Sequence, residues 1–350
     1  KVETKELQTA LKKLSKIVKS RTTTPILLCV LFHSVNGKLH VTADDYQCGA
    51  TLPLEAEGFN LAVPFSELNG WVQKVKDLEI ELAKDGDSLL ASTESSNCKI
   101  KGLPAEMFPL VFANCETTPL EGDLKLQLQR ALRSAPSSDV KFLALSGINI
   151  VSTGESLRIQ SADGVQACFI SIAAELPVFD IVVPVSSVSA LLPLLDGPVE
   201  IGVNDGRNIV IKNDTFSFKS QVIDAKFPDV VRMIPPTFGT QATVSASSLK
   251  VAVDQSLVLT FANFVALDIS RTDVLVYIDG SESNAESSIE CLELTGPPVR
   301  FGMNGKMLSD KLGEEGSILI KANDKASPVM LSYMDDDSYK VIIMPMRLER

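Results

Sequence analysis

The sequence predicts a mixed α/β fold of the α+β kind, in which one helix-and-strand unit is laid out three times along the chain. Three observations predict it. Amphipathic runs of helical period alternate with short β-branched runs ended by Asn-Gly, Asp-Gly and Pro signals. The pattern then restarts twice: Val63-Pro64 and Val183-Pro184 lie 120 residues apart, Met303-Asn304 lies 120 further on, and Phe108-Pro109 and Phe227-Pro228 differ by 119. Self-similarity at a fixed period marks a repeated architecture. The expected domains are therefore 1–118, 119–238 and 239–350.

In the first repeat, residues 4–19 read as a helix with Leu7, Ala10, Leu11, Leu14 and Val18 on one face. Lys5, Lys12, Lys16 and Lys19 collect in a sector about 60° wide opposite that face, and Arg21 follows at once. Such a stripe is either a solvated surface or a place for an extended anion, because four like charges repel unless something neutralises them. A hairpin follows, 26–35 and 38–42 about Asn36-Gly37. A strand at 59–63 runs through Pro64 into a helix at 66–76, with Ser66 as the expected N-cap. Strands 79–82 and 88–92 turn about Asp85-Gly86, and 99–103 leads into Leu103-Pro104-Ala105-Glu106-Met107-Phe108-Pro109.

The second repeat opens with a helix at 123–134 carrying Lys125, Arg130 and Arg133. Strands at 142–151 and 156–161 follow, then 179–184, a helix at 186–195 without a basic residue, and strands 199–203 and 207–212. The third has a helix from 245 to 256, strands 264–269 and 274–278, a helix at 305–312, and strands 317–321, 328–333 and 339–344.

Composition narrows the class. Apolar content of 45% with positive mean hydropathy fits a globular chain. The longest apolar run, residues 25–32, is far too short to span a bilayer. No basic stretch with an apolar core opens the chain, and Lys1 in place of a start Met predicts a preceding residue. Six scattered cysteines without a C-x-x-C predict reduced thiols in a cytoplasmic protein rather than disulfides or zinc. The net charge of −11 divides as −2, −3 and −6 over the three repeats, so acid accumulates toward the C-terminus while the densest basic stripe is the first helix.

No catalytic constellation emerges. His33 and His40 fall on the two strands of one hairpin, G-x-S-x-G and G-x-G-x-x-G are absent, and Gly302-Met303-Asn304-Gly305-Lys306 lacks phosphate-loop spacing. Asp335-Asp336-Asp337 reads as a charged hairpin tip. Neither an enzyme nor a cofactor is expected. The tail, Val341 to Arg350, is different. Two methionines bracketing Pro345 either complete a final core strand or line a groove, where thioethers suit adaptable binding.

Over essentially its whole length the chain resembles the bacterial replicative sliding clamp, the β subunit of DNA polymerase III. The resemblance rests on Arg21-Thr22-Thr23-Thr24-Pro25-Ile26-Leu27, Val63-Pro64, the 103–109 segment, Ser161-Ala162-Asp163-Gly164, Lys226-Phe227-Pro228-Asp229 and Met344-Pro345-Met346-Arg347-Leu348. It implies three clamp-type domains per chain and a homodimeric ring, with helices lining the hole and antiparallel sheets outside. It also implies a DNA polymerase processivity factor in replication, working at the nucleoid. A basic lining beside phosphates and an acidic exterior would reconcile the net charge with DNA. The lining residues so implied are Lys5, Lys12, Lys16, Lys19, Arg21, Lys74, Lys76, Arg130, Arg133, Lys250, Lys306 and Lys311.

The same resemblance implies a pocket for short peptide motifs of the polymerase, the clamp loader and repair proteins. Its residues would be Leu145, Ala162, Gly164, Val165, Gln166, Ala167, Pro228, Arg232, Met233, Met307, Ile342, Met344, Pro345, Met346 and Arg347. The chain departs from the family in having Val165-Gln166-Ala167 where His-Arg-Leu is usual, and Met307 where a tyrosine is common, which implies an altered peptide preference. The residues after Leu348 extend past the usual end. The ring joint implied would set Cys98 and Ile100 against Val258 and Leu259. A clamp-shaped scaffold that no longer encircles DNA is the alternative, and an unrelated α/β enzyme a third.

Overall fold

The computed structural model describes residues 1–109, 115–136, 141–204, 206–259, 263–270, 272–279, 283–313 and 315–348. Its helices are α1 (Thr4–Leu14), α2 (Phe65–Val72), α3 (Leu124–Leu132), α4 (Val185–Leu191), α5 (Ala246–Leu257) and α6 (Gly305–Lys311). The chain forms two compact units, residues 1–125 with 175–224, and 126–174 with 225–350. Among the described residues, no helix is long and apolar enough to cross a membrane.

In the first unit α1 buries Leu7, Ala10, Leu11 and Leu14, as its period requires. It ends five residues earlier than expected because the Ser15 hydroxyl donates back to the Lys12 carbonyl at 2.7 Å, a local bond that competes with continued helix. Helix α2 is also shorter than expected, and Ser66 is not its cap. The strand Leu61–Pro64 runs straight into Phe65, with Pro64 at the N-cap and no side-chain bond there. Helices α5 and α6 are capped: Ser245 Oγ accepts from Ser248 N at 3.3 Å and Asn304 Oδ1 from Met307 N at 3.0 Å. The 103–109 segment is a packing device, since Phe108 is buried with Ile26, Leu27, Cys29, Leu31 and Ala62, and Leu103 and Ala105 cover it.

An eight-stranded antiparallel sheet dominates the first unit, in the order 61–64, 29–35, 38–44, 48–57, 216–221, 208–213, 199–204, 118–120. Its middle joint pairs Cys48–Glu57 with Phe216–Gln221, so strands from two sequence repeats share one ladder. A smaller sheet orders 2–3, 79–85, 88–92 and 97–101, which leaves Asn97–Lys101 as an edge strand.

The larger sheet of the second unit contains, in order, 147–152, 156–162, 166–173, 336–343, 329–333, 317–322, 240–245 and 293–295. Its joint between repeats pairs Gln166–Ala173 with Asp336–Ile343, setting Ala167 opposite Ile342. The smaller sheet orders 284–290, 273–279, 264–270 and 299–304, so Asn284–Glu290 is again an edge.

Differences from the sequence reading are local. The strand expected from 142 begins at Gly147, because Ser146 Oγ donates to the Leu143 carbonyl at 2.6 Å and closes a 3-10 turn over Leu143–Ser146. Strands 48–57, 166–173, 216–221 and 284–290 fall outside the sequence expectation. Cys48–Glu57 holds Gly49 and Pro53, and Asn284–Glu290 is mostly polar, so neither shows the β-branched alternation that announces a strand.

Candidate peptide groove and basic surface

The groove is built on the turn between strands 156–162 and 166–173. Gly164 takes a positive φ of +98°, and Asp163 Oδ1 accepts from the N–H groups of Val165 and Gln166, both at 2.9 Å. The terminal strand lies alongside. Met344 N donates to the Val165 carbonyl and Met346 N to the Gly302 carbonyl, each at 2.8 Å. A Cβ on Gly302 would stand 2.9 Å from the Met346 oxygen, so only glycine lets the tail lie this close. Two bonds thus pin the Met-Pro-Met segment at both ends, with Met344, Pro345 and Met346 half-buried, Arg347 exposed and Val165 46% exposed. Met307 is half-buried on α6, a helix that touches the terminal strand.

Four expected wall residues are corrected. Ala162, Gln166, Ala167 and Ile342 are buried at 3%, 4%, 0% and 0% exposure. They lie within the paired strands 156–162, 166–173 and 336–343, and they support the surface rather than form it. Gln166 Nε2 donates to Asp163 Oδ2 at 2.8 Å, so this side chain stiffens the turn. Leu145 is half-buried on its 3-10 turn, where Phe142 and Leu143 are exposed at 71% and 63%. The sequence reading missed these two; an apolar pair ahead of a strand was the available signal. Pro228 and Arg232 are exposed and Met233 half-buried about the turn Val230–Met233, and Arg232 Nε is 2.9 Å from Asp229 Oδ2.

The basic residues divide into exposed and interior groups. Lys5, Lys12, Lys16, Lys19 and Arg21 are exposed on and after α1, as are Lys74 and Lys76 after α2 and Lys306 on α6. Lys19 is tied to Asp45 at 2.8 Å. Lys250 is half-buried, with Nζ 2.9 Å from Asp254 Oδ2 and 2.7 Å from Ser309 Oγ.

Arg130 and Lys311 contradict the expectation of a solvent-facing lining. Arg130 is 3% exposed, lies 2.6 Å from Asp336 Oδ2 and stacks its guanidinium 4.6 Å above the Tyr339 ring. Lys311 is 1% exposed and donates to the Arg133 carbonyl at the end of α3. Burial pushes its amine down to about 8. Both hold elements of the second unit together and offer phosphate nothing. Arg133 is half-buried beside them.

Comparison with known proteins decides the family. Residues 1–112 match the N-terminal domain of the DNA polymerase III beta subunit, and residues 123–229 match its central domain. The beta sliding clamps of Salmonella typhimurium and Escherichia coli K12 are 26% and 25% identical, each alignment covering 99% of both chains. Among solved structures, the DNA polymerase III beta subunit of Thermotoga maritima superposes with a TM-score of 0.87 at 23% identity, covering 99% of each chain. The Bacillus subtilis sliding clamp gives 0.90 at 18%, covering 99% of this chain and 98% of that one. A Pseudomonas aeruginosa clamp bound to griselimycin gives 0.88 at 24%, with the same coverage. The chain belongs to the DNA polymerase III β sliding-clamp family.

As a divergent clamp-family chain, it places the two candidate joint segments differently. Val258 and Leu259, just past α5, are 84% and 46% exposed. Ile100 is 8% exposed and packs inward, a correction, because alternation along Asn97–Lys101 turns Lys99 and Lys101 outward instead. Cys98 is half-buried beside a depression of about 370 Å³ that Trp71 and Glu67 also line. A groove of about 580 Å³ runs between α5 and the edge strand Asn284–Glu290, lined by Val251, Ile289 and Leu292 among others. The sequence reading named neither that strand nor the groove.

Burial governs several titratable groups. His33 faces His40 across the hairpin, with its Nε2 2.9 Å from Thr42 Oγ1, and burial pushes it down to about 4. Burial likewise pushes the Cys48 and Cys168 thiols up to about 12. Among the described residues, no three His, Cys, Asp or Glu side chains cluster to hold a metal ion.

Proposed function

We propose that this clamp-family protein is a DNA polymerase processivity factor, a non-catalytic ring of two chains that encircles duplex DNA in the cytoplasm. Each chain would contribute three domains, 1–118, 119–238 and 239–350. The observation that carries the reading is sheet continuity. Within the chain, sheets of successive repeats join twice, through 48–57 with 216–221 and through 166–173 with 336–343. The edge strands Asn97–Lys101 and Asn284–Glu290 hold the places in the first and third repeats that these joints use in the others, so they would make a third joint of the same kind with a second copy. Charge favours that match: Lys99 and Lys101 are exposed on one edge, Glu286 and Glu290 on the other. Val258 and Leu259, just past α5, add exposed apolar surface in the same repeat.

The exposed cations Lys5, Lys12, Lys16, Arg21, Lys74, Lys76 and Lys306 would face the phosphates as sequence-independent contacts. The surface of Val165, Met307, Met344, Pro345 and Met346, with Leu145, Pro228, Arg232, Met233 and Arg347, would take apolar peptide motifs of the polymerase, the clamp loader and repair proteins. Tethering then raises each partner's effective concentration at the template. Loaded on closed circular DNA the protein should stay bound, and cutting the circle once should release it. Equal retention on linear DNA would sink the encircling reading.

A further inference from the structure

The turn under the peptide groove occurs a second time, 118 residues earlier, in the first unit. Asp45 Oδ1 accepts from Gln47 N at 3.0 Å and Cys48 N at 2.8 Å, as Asp163 Oδ1 accepts from Val165 and Gln166. Gln221 N donates to the Gln47 carbonyl at 2.8 Å and Ile223 N to the Val182 carbonyl at 2.7 Å, reproducing the bonds of Met344 and Met346. The two turns correspond bond by bond, so the conformation they demand is the same. At the position that must be left-handed, the later turn has Gly164, at φ +98°, and the earlier one has Tyr46, at φ +71°.

Glycine meets that demand freely, whereas a bulky L-residue is strained there. Tyr46 does not repay the strain by packing, because it is 53% exposed. It is held in place by its surroundings. Asp44 Oδ1 accepts the Tyr46 N–H at 2.8 Å, and Asp44 is itself 3% exposed and paired with Lys219 at 2.8 Å. Asp45 is paired with Lys19 at 2.8 Å. Both carboxylates beside the ring are thereby paired with lysines; Lys16 and Arg21, close to Lys19 in sequence, are exposed cations, and Asp224, one residue past Ile223, is an exposed anion. A firmly held, exposed aromatic whose neighbouring carboxylates are already paired with Lys19 and Lys219 suits nucleic acid, with the ring taking a base face and the lysines of the adjoining segment near phosphate.

In an intact duplex the base faces are covered by their neighbours, so a ring on a protein loop can reach only a base that has lost its partner. We propose that Tyr46 is a stacking contact for an unpaired base of DNA where duplex gives way to single strand. This rests on the encircling-clamp reading and adds to it a contact that distinguishes a primed junction from uniform duplex.

The test uses the full-length protein with fluorescently labelled DNA at low salt, comparing a primed junction with a blunt duplex of equal length. Tyr46→Ala should weaken junction binding five- to tenfold and change blunt-duplex binding less than twofold, and Tyr46→Phe should behave as wild type. Tyr46→Gly should lose the junction preference yet melt at a higher temperature than Tyr46→Ala, because the turn is relaxed. Unchanged junction affinity in Tyr46→Ala, or an equal loss on both DNAs, overturns the proposal. So does loss of a partner-peptide interaction without loss of DNA binding, which would make the loop a protein-docking surface. Wild-type protein binding neither DNA would instead remove the clamp reading itself, and this contact with it.

Discussion

At the scale of single residues, burial separates groups that look alike in sequence. Arg130 and Lys311 sit on basic helices, yet each is turned into the second unit, so their loss should appear in stability rather than DNA affinity. Arg130→Ala removes the pair with Asp336 and the contact over Tyr339. Because Asp336 keeps partial access to water, the cost should be about 2–3 kcal/mol, below a fully buried pair. Urea unfolding reads this, and DNA affinity should stay within twofold.

Lys311 makes a pH prediction. Its amine is pushed down to about 8 by burial, whereas an unfolded lysine titrates near about 10.4. Between those values this lysine binds more proton in the unfolded chain than in the folded one, so the Lys311 contribution to stability should rise as pH increases from about 8 toward 10. Cys168 beside it is pushed up to about 12 by burial, whereas an unfolded thiol titrates near about 8.5, so it contributes the opposite slope, and the Lys311 contribution is read as the difference between wild type and the Lys311 variant. Lys311→Met should flatten that rise in a urea series across pH. An unchanged slope would show that Lys311 is not its source. The sequence could not place either side chain, because a lysine at a helix end reads as solvated until the carbonyl that receives it, that of Arg133, is known.

At the scale of elements, the tail and the turn it borders make one surface. Met344→Ala with Met346→Ala should weaken a partner peptide at least tenfold in a titration while the dimer is unaffected, since both backbone bonds of the segment survive. Unchanged peptide affinity would return the tail to a simple final strand. Half of this surface was legible: Met344-Pro345-Met346 and Asp163-Gly164 stand out by residue type. The depth of Ala167, Gln166 and Ile342 was not, because it follows from strand 336–343 lying between two neighbours, a pairing of residues far apart in the chain. The edge strand Asn284–Glu290 was hidden for a related reason. Its polar sequence fits a strand only because one side has no partner within the protomer.

At the scale of the whole molecule, the repeat was visible in the spacing of the Val-Pro and Phe-Pro pairs. What the spacing could not reveal is that each of the two large sheets runs across a repeat boundary, so that successive copies are joined by main-chain ladders. The proposed joint between chains should be weaker than these, since no covalent connection holds its strands together. Val258→Asp with Leu259→Asp should shift sedimentation from dimer toward monomer at micromolar concentration and abolish retention on circular DNA. A dimer that persists in this variant would place the joint elsewhere.

The two open edges also carry a hazard. They are different strands, so the proposed contact between copies would be head to tail, and nothing local in such a contact limits how many copies join. Closure at two chains depends on the angle that each protomer subtends between its edges. A substitution that changed this angle by a few degrees, while sparing both edges, would not yield monomers. It would yield open, growing polymers, visible as length-heterogeneous fibres by electron microscopy. The rigidity of the ladders between repeats is therefore what would keep a finite assembly from becoming a filament.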